Sequence, residues 1–385
     1  MPLSTLGRRA LVPALAVITA FLGGAVVIVL TDFEHLRLIG IDPAGAIGGA
    51  VGEMLRGYGA MLSGAIGDPG RVVTAVQSGD PRDIATAIRP ITETLVSTTP
   101  LICVGLALAV SFHAGLINLG ADGQFLMGGL GATIATILLA DHLPAPLILV
   151  VALAAGASGG AAYGFIPGFL KARTGAHEVI TTLMLNYIAP AIAFMALRSP
   201  VFSRSLNPIA DIPLVIDLPT IRLDWGFGVA LLAAAVVSFL LFQTTLGFEL
   251  RSAGFSRTAA RSAGMRSGGA IVLAMSLSGG LAGLGAALVA LGPVGRMSPS
   301  GGIGFVALAL ALIAGLRPSG VVLVALLFGA LNTGATNMVI ETGIPFDLLV
   351  VIIALAMLFV AAPGLIRSIW RVAGRDHGMR GSLVG

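Results

Sequence analysis

Long apolar runs separated by short polar segments recur along most of the chain. Most of them approach the roughly 20 residues that a tilted helix needs to cross a bilayer. The pattern therefore predicts about ten transmembrane helices, at 10–30, 94–112, 123–140, 146–170, 179–197, 226–244, 269–291, 303–316, 319–339 and 346–363. The run at 303–316 is short, and it is predicted either to cross or to form a re-entrant or broken helix that its neighbours bury.

The composition excludes a soluble domain. Hydrophobic residues make up 56% of the chain and charged residues 10%, and the mean hydropathy is +1.00, so a water-exposed fold would leave large apolar patches on its surface. The fold class predicted is an all-α, polytopic membrane protein that has the lipid bilayer as its environment. The net charge of +4 comes from arginines at membrane borders without a dense basic run, so nucleic acid is not an expected partner.

The orientation follows from the arginines and the lysine, which favour the cytoplasmic side of short loops. Five of the arginines on the opposite side lie in one loop of about 60 residues, and such a long loop counts weakly. The prediction is that the N-terminus and the C-terminus are both cytoplasmic. The inner set is Arg8, Arg9, Lys171, Arg173, Arg251, Arg257, Arg261, Arg266, Arg317, Arg367, Arg371, Arg375 and Arg380, and the outer set is Arg37, Arg56, Arg71, Arg82, Arg89, Arg198, Arg204, Arg222 and Arg296.

Four regions are predicted along the chain. Residues 1–30 form a first transmembrane helix, and 31–93 form an external amphipathic segment that is too charged to cross. Within that segment, the residues from Ala44 to Ile66 are expected to form one or two interfacial helices. A transmembrane core at 94–366 contains a polar loop at 245–267, and a cytoplasmic tail follows at 367–385. Gly160, Gly164 and Gly168 are spaced for the close approach of a neighbouring helix.

Two polar motifs lie between the apolar runs. They are HAGLINLGADGQ from His113 to Gln124 and TGAHEVITTLMLNYIA from Thr174 to Ala189. Both place amides and carboxylates at or within membrane borders, where an unpaired polar group is expensive. Either a substrate contact or a structural role in helix caps and interhelical hydrogen bonds explains them. The candidates for the substrate pathway are Asn118, Asp122, Gln124, Glu178 and Asn186.

A third polar segment, from Gly247 to Arg266, contains four arginines. Ser256 can cap a short helix through Arg261, and Gly264 can supply the left-handed residue that ends it. The prediction is a short amphipathic helix on the cytoplasmic side. The arginines act either as a topological signal alone or as part of a surface for a partner.

The first two motifs resemble the FNIGAEGQ and NEVISTLMLNYIA signatures of permease subunits in bacterial ABC importers for nucleosides, a branch of the ribose, simple-sugar and branched-chain amino-acid permease superfamily. The similarity continues from Leu277 to Gly320 and covers most of the chain from about residue 90. The arginine segment resembles the part of such permeases that seats on the ATPase. The resemblance implies an ATPase-coupling role for Ser256, Arg257, Ala259, Ala260, Arg261 and Gly264.

The resemblance also implies partners: two ABC ATPase subunits, a second permease that is identical or homologous, and an extracytoplasmic substrate-binding protein. Lys171 is the only lysine and does not lie in a GxxxxGK[ST] loop, so this chain has no Walker A lysine. ATP and Mg²⁺ are therefore expected on a separate subunit, with no cofactor, catalytic residue or metal site in this chain. The expected location is the bacterial cytoplasmic (inner) membrane.

Several alternatives stay open. Ile117, Asp122 and His177 depart from the signatures, which leaves the substrate open among nucleosides, a nucleobase, and ribose or another simple sugar. A single-chain, ion-coupled secondary transporter would need ionisable groups near the bilayer midplane, and the acidic residues lie instead near predicted helix ends. A membrane scaffold or channel without energised transport is the third possibility.

Overall fold

The computed structural model describes residues 3–139, 142–198, 223–265, 267–292 and 301–371. Within these ranges the regular structure is entirely helical, as the apolar runs predict. The helices are α1 (Leu3–Thr31), α2 (Phe33–Leu36), α3 (Pro43–Ile66), α4 (Pro69–Ser78), α5 (Pro81–His113), α6 (Ala121–Leu139), α7 (Ala145–Thr174), α8 (Glu178–Leu197), α9 (Gly226–Gln243), α10 (Thr245–Phe255), α11 (Arg257–Ser262), α12 (Ser267–Ala290), α13 (Ile303–Ile313), α14 (Pro318–Thr342), α15 (Phe346–Ala361) and α16 (Pro363–Ile369), with a 3₁₀ turn at Arg37–Gly40.

Seven of the described helices are long and apolar enough to cross a membrane: α5, α6, α7, α8, α9, α12 and α14. An eighth crossing is formed if Leu15–Thr31 and Phe33–Gly40, which meet at a bend of 50°, make one span. Helix α13 has 11 residues and is therefore about 16 Å long, half of the roughly 30 Å hydrocarbon core. At this length α13 is too short to cross the hydrocarbon core as one straight helix, in keeping with the second alternative for 303–316. The count of ten transmembrane helices and the orientation of the termini stay predictions. Residues 44–66 form one helix, α3.

The chain divides into two compact units. The first comprises Met1–Ala60 and Ala335–Gly385, as far as these residues are described. In it, α1 packs along α15, and the Tyr58 hydroxyl donates to the carbonyl oxygen of Phe21 at 2.6 Å. The rings of Phe21 and Tyr58 meet edge to face at 5.5 Å. The first predicted transmembrane helix is thus held by both packing and a hydrogen bond.

The second unit, Met61–Gly334, is built on α6, α7 and α12. Glycines line the contact between α7 and α12: a side-chain carbon on Gly160 would collide with the carbonyl oxygen of Gly279, and one on Gly164 would lie 3.1 Å from the Gly279 Cα. The prediction that Gly160, Gly164 and Gly168 admit a neighbouring backbone is confirmed, and that neighbour is α12. Cys103 of α5 is fully buried in the same unit.

Neighbouring glycines on α12 give a matched test of this contact. A methyl group at Gly279 would collide with the Gly160 backbone, whereas one at Gly280 would meet the Ala157 oxygen and the Ala161 Cβ at an ordinary 3.5 Å. We expect Gly279→Ala to lower the stability by about 1–3 kcal/mol, the usual cost of overpacking. Gly280→Ala is expected to be neutral or slightly stabilising, because alanine favours helices. Thermal unfolding in detergent measures both, and equal melting temperatures would contradict this packing.

Candidate functional site

The first polar motif forms a break between α5 and α6. The left-handed Gly115 ends α5: its N–H donates to the Phe112 carbonyl, and the Leu116 N–H donates to the Ser111 carbonyl, each at 3.0 Å. Helix α6 begins only at Ala121. Leu116 is fully buried and Asn118 is 1% exposed, so the break passes through the interior of the unit.

Asn118 is the centre of a buried hydrogen-bond network. Its Nδ2 donates to Gln124 Oε1 at 2.8 Å and to Ser278 Oγ at 2.9 Å. Its Oδ1 accepts from the Gly120 N–H at 2.9 Å and from Gln124 Nε2 at 3.3 Å. Ser278 lies near the middle of α12, so the break reaches deep into the bundle. The amides of Asn118 and Gln124 satisfy each other and the backbone of the break.

Helix α8 adds three hydrogen bonds at the break and at the start of α6. Asn186 Oδ1 accepts from the Gly123 N–H at 2.9 Å, and Asn186 Nδ2 donates to the Leu119 carbonyl at 2.6 Å. The Thr182 hydroxyl accepts from the Leu119 N–H at 3.3 Å. Irregular backbone at membrane depth is tolerated only when protein groups satisfy it. Residues from the second motif therefore supply the partners that the first motif lacks.

Asp122 joins α6 to the short helix α13. Its Oδ1 accepts from the Gly304 N–H at 3.0 Å, and a side-chain carbon on Gly304 would lie 2.8 Å from its Oδ2. Gly304 is in the first turn of α13 and Asp122 in the first turn of α6, so the positive ends of two helix dipoles meet at one carboxylate. Asp122 is at a helix end, as predicted, but that end is buried in the bundle.

Glu178 stands apart from the Asn118 network. It pairs with Lys171, and the two side chains are 10% and 12% exposed. Lys171 lies in the last turn of α7 and Glu178 in the first turn of α8, so each charge also suits the helix dipole beside it. The ion pair closes the tight α7–α8 hairpin. Each of the five candidate pathway residues is thus engaged within the chain.

The predicted helix in the arginine segment is α11. Ser256 Oγ accepts from the Ala259 N–H at 3.3 Å, and Gly264 has φ +78°. The Met265 N–H donates to the Ala260 carbonyl at 3.0 Å, which completes a glycine-terminated helix end. Both the predicted cap and the predicted stop are confirmed by the structure.

The predicted coupling residues divide into three groups. Ser256, Ala260 and Gly264 shape the segment, and Ala260 is buried, 3% exposed. Arg257 and Ala259 are exposed. Arg261 Nε donates to Ser267 Oγ at 2.8 Å, which ties α11 to the start of α12. Arg266 lies outside the described residues.

A groove of about 770 Å³ opens beside this segment. Among the large apolar side chains of its lining, Phe255 is the most exposed, at 97%. The sequence interpretation missed Phe255, although an aromatic residue directly before the cap of a water-facing helix was an available signal. The lining is Phe112, His113, Phe248, Arg251, Ser252, Gly254, Phe255, Ser256, Ala259, Ala260, Ala263, Met265 and Leu316.

Helix α10 connects α11 to the helix break. A side-chain carbon on Gly115 would lie 2.9 Å from the Gly254 Cα, so the two backbones are in direct contact. Leu250 of α10 is buried together with Leu116 of the break and Met275 of α12. The arginine segment thus rests on the residues where α5 ends.

Asp224, before α9, is a buried carboxyl that the sequence interpretation also missed. It is 4% exposed, and its Oδ1 accepts from the Gly226 N–H at 3.0 Å. Burial raises the pKa of Asp224 to about 6. The signal in the sequence was an isolated aspartate next to the start of an apolar run; it lies one position ahead of the helix cap, which is Trp225.

Residues 91–362 match the family described as "Branched-chain amino acid transport system / permease component". The match covers the helix break, the α7–α8 hairpin, the arginine segment and α12 to α14. The chain belongs to this family and is a permease component of the ABC transporter type.

Curated relatives agree with this assignment. The guanosine ABC transporter permease protein NupP of Bacillus subtilis (strain 168) is 40% identical over 71% of this chain and 82% of its own. The nucleoside ABC transporter permease protein NupB of Lactococcus lactis subsp. cremoris (strain MG1363) is 30% identical over 93% of this chain and 92% of its own. The glucose ABC transporter permease protein TsgB13 of Haloferax volcanii is 32% identical over 70% and 75%. No solved structure matches the chain.

Asn186 provides a test of the helix break. Replacing it with leucine removes the partners of the Leu119 carbonyl and the Gly123 N–H together. An unsatisfied buried group costs about 1–3 kcal/mol, and both of these bonds are only partly buried, so we expect Asn186→Leu to lose about 1–3 kcal/mol of stability in total. Tyr187→Phe, at an exposed neighbour, is the control and is expected to melt like the wild type. Thermal unfolding in detergent compares them. A stable Asn186→Leu protein with weakened substrate affinity would instead identify Asn186 as a substrate contact.

Proposed function

We propose that this chain is the membrane-spanning permease subunit of an ATP-driven importer of nucleosides in a bacterial cytoplasmic membrane. The observation that carries the proposal is the similarity to a nucleoside permease along 93% of this chain, together with the guanosine permease at 40% identity. A simple sugar is the second candidate, which the glucose permease relative favours. Both solutes are neutral and rich in hydroxyl groups.

The partners follow from this role. ATP and Mg²⁺ would bind to separate ATPase subunits, since the only lysine, Lys171, is paired with Glu178. A second permease, identical or homologous, would complete the translocation path. An extracytoplasmic binding protein would deliver the substrate. The arginine segment of α10 and α11 would contact the ATPase, with Phe255 as the exposed apolar anchor and Arg257 beside it.

The contacts of the arginine segment suggest how ATPase movement would reach the path. Displacement of α11 would move α10, since only Ser256 separates them, and the Gly254–Gly115 contact would pass that displacement to the end of α5. The break beyond Gly115 would absorb the change, because it lacks the helical hydrogen bonds that stiffen its neighbours. In this proposal Asn118, Asp122, Gln124, Glu178 and Asn186 border the path as positioning residues.

Transport is tested by uptake of radiolabelled nucleosides into cells with and without the gene, with parallel arms for glucose and ribose. We expect gene-dependent nucleoside uptake that vanadate blocks and ionophores do not. Uptake of sugar but not nucleoside would select the second candidate. Uptake that ionophores abolish and vanadate leaves intact would overturn the ATP-driven proposal in favour of ion coupling.

The ATPase contact is tested at Phe255. An exposed aromatic anchor at an interface typically contributes about 2 kcal/mol or more, so Phe255→Ala is expected to reduce copurification of the ATPase at least about tenfold. Phe239→Ala removes an equally large side chain that is 56% exposed on α9, away from the segment, and should copurify normally. Membrane abundance of each variant is measured alongside. Unchanged ATPase recovery with Phe255→Ala would place the contact elsewhere.

A further inference from the structure

Helix α14 turns one face towards α5 along its first half. Val321, Ala325 and Gly329 recur at every fourth residue and are all buried. A side-chain carbon on Gly105 of α5 would lie 2.8 Å from Val321 Cγ1, and one on Gly329 would collide with Thr98. These three residues therefore mark the face of α14 that packs against α5.

The same face continues with polar residues and becomes open. Asn332 and Thr336 stand at i+3 and i+7 from Gly329, which places them on the stripe of Val321, Ala325 and Gly329. Both are exposed. The opposite face of the first half of α14 carries Leu323 and Leu327, which are exposed and apolar as lipid requires. The polar end thus extends the inward-facing stripe and not the lipid-facing one.

The neighbouring side chains in the second unit are neutral hydrogen-bonding groups. The Thr333 hydroxyl donates to the Ser97 hydroxyl of α5 at 3.2 Å. About one turn earlier in α5, the Thr94 hydroxyl donates to the Ala65 carbonyl at 2.8 Å. The Thr94 and Thr333 hydroxyls are buried, so the exposed polar group at this level is the Asn332 amide. An amide suits an uncharged solute that both donates and accepts hydrogen bonds.

We propose that the open end of this stripe, centred on the exposed Asn332 and backed by the buried Thr333 and its partner Ser97, is a binding surface for the transported solute. The expected ligand is a nucleoside, whose ribose hydroxyls and base edges match neutral amide and hydroxyl groups. The choice of a nucleoside as the ligand rests on the proposed function. The prediction that this surface is accessible to water does not. Asn332 need not be unpartnered, since an exposed amide can exchange a protein hydrogen bond for one to a solute at little cost.

Cysteine labelling tests the surface directly, because the only native cysteine, Cys103, is fully buried and should not react. Asn332→Cys and the control Leu323→Cys are compared in the assembled transporter with a charged, membrane-impermeant maleimide. We expect Asn332→Cys to react on the order of tenfold faster, because a thiol in lipid does not ionise. The reagent is applied to cells and to inside-out vesicles, and the faster reaction is expected from outside. Equal, slow labelling of both cysteines from both sides would overturn the proposal.

The ligand is tested by protection and by transport. Guanosine with the binding protein present should slow labelling of Asn332→Cys, and Asn332→Ser should raise the KM for uptake about five- to tenfold, the effect of one weakened hydrogen bond. Leu323→Ala should leave KM unchanged. If the wild type transports a sugar and not a nucleoside, the proposed substrate is wrong. Protection of Asn332→Cys from labelling by that sugar would then still support this surface as the binding site. Normal KM in Asn332→Ser for the solute carried would overturn its role in binding.

Discussion

Backbone N–H and C=O groups have no water to bind in the hydrocarbon core of a membrane, so every interruption of a helix there must be satisfied by protein. The break between α5 and α6 meets this constraint with three side chains, Asn118, Thr182 and Asn186. Two of those side chains come from α8, so the position of α8 is tied to the start of α6. Asp122 lies in the first turn of α6, and its carboxylate accepts from the N–H of Gly304 in the first turn of α13. The start of α13 is therefore tied to the same place.

The glycine contact between α7 and α12 limits which parts of the second unit can move. Backbone touches backbone at Gly160 and Gly279, with no side chains between them that could repack into a second arrangement. Sliding of one helix along the other would bring carbonyl oxygens against Cα atoms. The glycine-rich composition therefore indicates a block that moves as one body, with changes of shape confined to segments such as the helix break.

Local patterns in the sequence were sufficient for the all-helical class and most of the long apolar helices, for the cap at Ser256, the stop at Gly264 and the close approach at Gly160. They could not give the depth of Asn118 and Asp122, because a short polar stretch between two apolar runs has the same appearance at a membrane surface and inside a bundle. The exposure of Phe255 had a signal in its place before the Ser256 cap, but that of Asn332 had none. The exposure of Asn332 depends on which neighbouring helices cover it, and that is a property of packing that no periodicity within one helix contains.

The network around Asn118 also bears on how such a permease can change its specificity over evolution. Its amide atoms are engaged in holding the break, and so are those of Asn186, which leaves them little freedom to follow a new solute. A motif of this kind can be retained while the transported substrate changes, because the motif is needed to satisfy backbone groups in the membrane and not to bind the substrate. The motif therefore identifies the fold of a permease and not its substrate. Substrate specificity is expected to depend on surfaces whose side chains are less constrained.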